Sequence, residues 1–222
     1  MYGLINLFPT PVYKQPATVD NYDITQIEIR DCLNKILEED DLECVSYIYK
    51  DAGERKRNRP ESGYFVSDQL IEKYNLRNLE KRIYEAVDHY IKLTQWSALN
   101  SSPILNSIND ATFEIKNSWI NIAEKGVFHD YHVHPQYTIS GVYYFRVNAD
   151  QGGIQFRNPN IMLENCYFPE GPRSPQSIEI IPRDGDIILF PAWLAHSTVK
   201  NTTDEDRVSV AFNVDLVNQN QK

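Results

Sequence analysis

From residue 111 the apolar period of this chain drops to two and stays there to residue 216. "TFEIKNSWINIAE", "TISGVYYFRV", "GGIQF", "SIEIIP", "DIILFP" and "RVSVAFNVDL" read as short strands. Alternating side chains point to opposite faces of a strand, so this rhythm makes half-buried sheet. "NADQGG" and "PRDGD" between them read as tight turns, because glycine reaches backbone angles that other residues avoid. Short strands at close spacing with no helices between them point to antiparallel pairing, in a β-sandwich or barrel.

The first half carries a helical period instead. In "NLRNLEKRIYEAVDHYIKLTQWS", Leu76, Leu79, Ile83, Val87, Tyr90 and Thr94 form one stripe, with Asn75 as the expected cap. His89 lies off that stripe and is read as a surface or helix-packing residue. "ITQIEIRDCLNKILEED" offers Ile27, Leu33, Ile36 and Leu37, with Asp23 at its start. Helices followed by strands predict a mainly β fold with helices packed on one outer face. At 222 residues the chain fits one domain over 1–222, with a mainly helical buttress (1–110) and a β core (111–216). The Pro-rich connection 157–177 is expected to be a loop that, with 45–67, shapes a pocket.

Composition narrows the function. A net charge of −9 disfavours nucleic acid, which needs a basic surface. The one basic cluster, "ERKRNRP" at 54–60, reads as a solvated loop. No long apolar run suggests a membrane span and no secretory signal is apparent. Three scattered cysteines, Cys32, Cys44 and Cys166, fit reduced thiols, so a cytoplasmic location is expected.

Three of the five histidines crowd into "FHDYHVHPQYTISGVYYF" at 128–145: His129, His132 and His134. If that segment is extended, His132 and His134 share one face. His196, at the end of "DIILFPAWLAH", can supply a third imidazole from a rigid strand end. Imidazole suits Fe, Zn, Cu and Ni. Eleven residues later, "RVSVAFNV" places Val208, Val210, Phe212 and Val214 on one face, and Arg207, Ser209, Ala211 and Asn213 on the other. If the second face lines the cavity of the metal, Arg207 is a fixed cation suited to a bidentate carboxylate, and Ser209 adds a donor. The competing reading is a surface arginine paired with Asp204, Glu205 or Asp206.

At these residues the chain resembles the Fe(II)- and 2-oxoglutarate-dependent oxygenases, in particular the 2OG-Fe(II) oxygenase branch of bacteria and phages. The resemblance rests on "LFPTPVY", "SWINI", "HVHPQYTISGVYYF", the "GG" turn before "IQFRNP", "DGDIILFPAWLAHSTV" and "RVSVAFN", spanning residues 7 to 216. It implies a double-stranded β-helix, or jelly-roll, with helices buttressing the larger sheet. It implies Fe(II) held by His132 and His196, and 2-oxoglutarate as co-substrate with Arg207 and Ser209 on its distal carboxylate. It also implies O2 as oxidant, and Tyr143, Trp119 and Asn121 as cavity-lining residues. The wider superfamily uses His-x-Asp where this chain has His134. Either His134 is the second ligand, or it orients the site and a carboxylate such as Asp130 completes it. His129 falls outside the pattern and is expected in a loop or outer-shell role. The implied activity is a dioxygenase, a hydroxylase of a small-molecule or peptide substrate, with a homodimer left open. The alternatives are a cupin-type metalloenzyme that needs no 2-oxoglutarate and a non-catalytic jelly-roll binding protein.

Overall fold

The computed structural model describes residues 10–38, 43–44, 48–50, 64–66, 69–94, 111–160 and 176–218. The basic cluster 54–60 lies outside them, as do Cys166 and most of the two segments expected to shape the pocket.

The strands predicted after residue 111 all form. The large sheet has the order β1-β10-β7-β12-β5-β4-β2. Its members are β1 (Tyr13–Gln15), β2 (Glu43–Cys44), β4 (Tyr64–Val66), β5 (Ala111–Ala123), β7 (Ile139–Arg146), β10 (Ile187–Pro191) and β12 (Arg207–Asn218). A smaller sheet has the order β11-β8-β9, from β8 (Ile154–Arg157), β9 (Ser177–Ile180) and β11 (His196–Thr198). β3 (Ile48–Lys50) pairs with β6 (Val127–His129). Every one of these strand pairs is antiparallel.

β12 runs through the middle of the large sheet, between β5 and β7. Its alternation is as the sequence predicts. Val208, Val210, Phe212 and Val214 are fully buried and join the core built with the helices. That core takes Leu79, Ile83, Ala86, Val87 and Tyr90 from α3 (Arg77–Leu93), and Ile29, Cys32, Leu33 and Ile36 from α1 (Val19–Glu38). α2 (Leu70–Lys73) adds Leu70 and Ile71. No helix is long and apolar enough to cross a membrane among the described residues.

The helices depart from expectation in phase and at their starts. α1 begins at Val19, so Asp23 lies inside it and is not a cap. Ile27 and Leu37 are solvent-exposed, because Ile29, Cys32, Leu33 and Ile36 set the buried stripe instead. Asn75 is no cap either. It has φ 56°, making the left-handed turn between α2 and α3, and its Oδ1 accepts from Arg77 Nε at 2.8 Å. Asparagine tolerates that region better than most residues. His89 is exposed, which decides for the surface reading over helix packing.

Turns close the other face. Gly152 (φ 74°) and Gly185 (φ 82°) take left-handed angles at the two predicted turns. Next to Gly152, a Cβ on Gly153 would run into the Ile180 carbonyl, so this strand entry requires a residue without a side chain.

Candidate metal centre and its cavity

The face of β12 turned away from the helices lines a cavity of about 590 Å³. Arg207, Ser209, Ala211 and Asn213 all border it, as do Trp119 and Asn121 of β5. The three expected imidazoles meet there. His132 and His196 form an isolated antiparallel bridge, exchanging backbone hydrogen bonds of 3.0 and 3.1 Å. The amide of His134 donates to the Ala192 carbonyl at 2.8 Å, tying it to the loop before His196. Two segments 64 residues apart are thereby locked to each other by main chain, and the rings follow: one ligand atom from each of His132, His134 and His196 lies within 4.8 Å of the others.

The surroundings suit these rings as metal donors. His132 Nδ1 lies 2.8 Å from the Asp130 carbonyl, and His196 Nδ1 lies 2.9 Å from the Leu194 carbonyl. A carbonyl only accepts, so Nδ1 carries the hydrogen and Nε2 keeps its lone pair. Burial, reinforced by the neighbouring imidazoles, pushes His196 down to about 3 and His134 to about 4, and burial also lowers His132. The rings are therefore neutral near neutral pH, the form that ligates. Three neutral nitrogen donors on one side of an open cavity fit a borderline metal such as Fe(II). Asp130 is solvent-exposed and its Oδ1 accepts from the Tyr131 amide at 2.7 Å, so that oxygen is engaged in its own turn.

Arg207 is not a surface residue. It is 5% exposed, and Nη1 donates to the carbonyls of Gln151 (2.7 Å), Val199 (2.9 Å) and Gly152 (3.1 Å). Nε and Nη2 have no hydrogen-bond partner among the described residues. Burial lowers its affinity for a proton, but a guanidinium stays charged in proteins. One edge of a buried cation thus remains available in the cavity wall, where an anion gains more than it would in water. Ser209 lies two residues along the same face, with Asn121 opposite it in the sheet.

One residue stands elsewhere than expected. Tyr143 does not border the cavity. It points to the helices, where its hydroxyl accepts from Gln26 Nε2 at 3.0 Å and the Arg82 guanidinium sits 5.2 Å from its ring. The cavity-lining tyrosine is its neighbour Tyr144, whose burial raises its pKa. His129 does border the cavity, its ring centroid 5.9 Å from that of His132. Its amide donates to Thr198 Oγ1 at 2.8 Å, one residue from the Val199 carbonyl that holds Arg207. Burial, with the His132 and His134 imidazoles and the Arg207 guanidinium close by, drives its pKa down to about 3. Val127 and His129 share one face of β6, an i, i+2 signal that the sequence carried.

Residues 117–213 match the family model described as "Putative 2OG-Fe(II) oxygenase". No curated protein sequence matches the chain. Solved structures share the fold at low identity. The alpha-ketoglutarate-dependent carbocyclase SnoK from nogalamycin biosynthesis is 14% identical, with a TM-score of 0.59 over 92% of this chain and 79% of that one. A Pseudomonas putida prolyl-4-hydroxylase is 13% identical, with a TM-score of 0.51 over 92% of each chain. HygX from Streptomyces hygroscopicus, solved with nickel and 2-oxoglutarate bound, is 12% identical, with a TM-score of 0.53 over 93% of this chain and 82% of that one. The two antiparallel sheets are the double-stranded β-helix of these oxygenases. The match over residues 117–213, the shared fold and the histidine triad all agree with a 2OG-Fe(II) oxygenase, a family for which Fe(II) and 2-oxoglutarate are the expected cofactors.

Proposed function

We propose that the chain is a hydroxylase that couples oxidation of a substrate C–H bond by O2 to decarboxylation of 2-oxoglutarate. The balanced reaction consumes R–H, 2-oxoglutarate and O2 and yields R–OH, succinate and CO2. One observation carries this reading: the triad and the free edge of Arg207 open on the same cavity. A cupin-type enzyme without co-substrate has no use for that buried cation.

His132, His134 and His196 are the proposed metal ligands, with His134 taking the place of the usual aspartate. Bound iron supplies the activation of O2. The chain's own work is placement. Nδ1 hydrogen bonds to two carbonyls fix the ring orientations of His132 and His196. Arg207 holds the distal carboxylate through Nε and Nη2, and Ser209 is set to add a hydroxyl donor. Trp119, 5.9 Å from the His134 ring, and Phe190, 4.5 Å from the His196 ring, wall the triad off from water. With three neutral ligands, no protein charge offsets the metal's, so the dianionic co-substrate binds to a strongly positive site.

The test is succinate release from 2-oxoglutarate by the Fe(II)-loaded chain under air, with Mn(II) binding followed by electron paramagnetic resonance. Wild type should release succinate and bind one Mn(II). His196→Ala should weaken Mn(II) binding by more than about a hundredfold. Full Mn(II) occupancy in that variant would remove His196 from the ligand set.

A further inference from the structure

The cavity has a second polar arm that the chemistry above does not use. On β12, Asn213 lies six positions beyond Arg207 on the same face, roughly 20 Å away along the strand. There it is flanked by Ser140 on β7 and Asn117 on β5, its direct partners in the sheet. The side chains form a chain of hydrogen bonds. Ser140 Oγ donates to Asn213 Oδ1 (2.6 Å), Asn213 Nδ2 to Asn117 Oδ1 (2.8 Å), and Asn117 Nδ2 to Tyr137 Oη (3.2 Å).

Burial sets the direction of this chain. Ser140 is 2% exposed; were both amides flipped, its hydroxyl hydrogen would be left without an acceptor inside the protein. Running outward, the chain ends on Tyr137, which is only half-buried and borders the cavity. Its oxygen already accepts from Asn117, which leaves its own hydroxyl hydrogen to donate at the outer end of the chain. The Tyr137 amide donates to the His134 carbonyl at 3.3 Å, which places it one tight turn beyond the triad. Ser140, Asn213, Asn117 and Tyr137 are all uncharged. A carboxylate held against them would be desolvated with no cation beside it. Tyr131 (39% exposed) and Val133 (43%) border the same cavity and offer apolar surface.

We propose that the Tyr137 hydroxyl, aimed by the Ser140–Asn213–Asn117 chain, anchors the substrate through an uncharged carbonyl oxygen. The body of that molecule lies against Tyr131 and Val133. Naming it the substrate rests on the oxygenase reading; the donor site itself does not.

The experiment uses the full chain labelled with 3-fluorotyrosine, without metal or co-substrate. Tyr137→Phe identifies the residue 137 signal by its loss. Three five-membered-ring probes are titrated: neutral N-methyl-2-pyrrolidone, anionic cyclopentanecarboxylate and cationic cyclopentylamine. The amide should shift that fluorine signal saturably, and neither ion should. Asn117→Asp keeps the shape but gives the tyrosine hydrogen an inward acceptor, so it should weaken the amide at least fivefold while the other fluorine signals stay in place. A response to the carboxylate, no saturable response, or wild-type amide affinity in Asn117→Asp would each overturn the proposal. A separate titration of Mn(II)-loaded protein with 2-oxoglutarate tests the oxygenase reading. Its failure would leave the probe result intact.

Discussion

Arg207 shows what a single side chain does when its two edges are given different tasks. Nη1 is spent on three carbonyls, and the Nε–Nη2 edge, unpartnered among the described residues, is the one proposed to take the co-substrate. Truncating one partner of a buried charge pair costs about 2–5 kcal/mol. Arg207→Ala should therefore weaken 2-oxoglutarate binding by roughly 30-fold or more. Calorimetric titration of the Mn(II)-loaded protein checks this, and unchanged affinity would take Arg207 out of the role. The placement of Arg207 was legible because β12 alternates cleanly, with valine and phenylalanine on one face and polar or small residues on the other. Tyr143 and Tyr144 were not separable in the same way. β7 is buried on both faces, so "GVYYF" shows no contrast from which to read direction.

At the scale of the elements, β7 is closely packed at Gly141. Gly141 faces the helix side, and a Cβ there would overlap the Phe212 ring and come within 2.6 Å of Leu189 Cδ2. Neither neighbour can move freely, since Phe212 and Leu189 are themselves fully buried. Gly141→Ala should thus destabilise the protein by about 1–3 kcal/mol, the usual cost of overpacking. Urea unfolding at neutral pH measures it; a midpoint equal to wild type would show that the sheet relaxes at that point. The strands were legible from their period and turn residues, and α3 from its stripe. The phase of α1 was not, because apolar residues sit on more than one side of that helix, and only contact with the sheet decides which are buried. Asn75 misled for a related reason: asparagine serves both as a helix cap and as a left-handed turn residue.

Over the whole molecule, the imidazole cluster links stability to pH. His129 and His196 are held near 3 and His134 near 4 by burial, against 6.5 for the ordinary side chain. Between those values the unfolded chain binds protons that the folded chain refuses, so acid favours unfolding. The metal-free protein should keep this contribution above pH 6.5 and lose stability as pH falls from there toward 4. His196→Gln should flatten that slope. Urea midpoints taken from pH 7 to 4.5 test both statements, and a wild-type curve flat across that range would mean that the rings are protonated without penalty. The overall architecture was legible because helices came first and strands after, and because the motif order is that of a known family. The arrangement of the cavity into two arms was not, since it depends on side chains from β5, β7 and β12 that meet only after the sheet assembles.

The three carbonyls gripped by Arg207 belong to a turn, Gln151 and Gly152, and to Val199, the residue just past the end of β11. The arginine is therefore a rivet through the floor of the barrel as well as the proposed anion receptor. Variants selected to use a different keto acid would have to reshape the pocket around that guanidinium rather than replace it, because exchanging it would unfasten the turn and strand end that it joins.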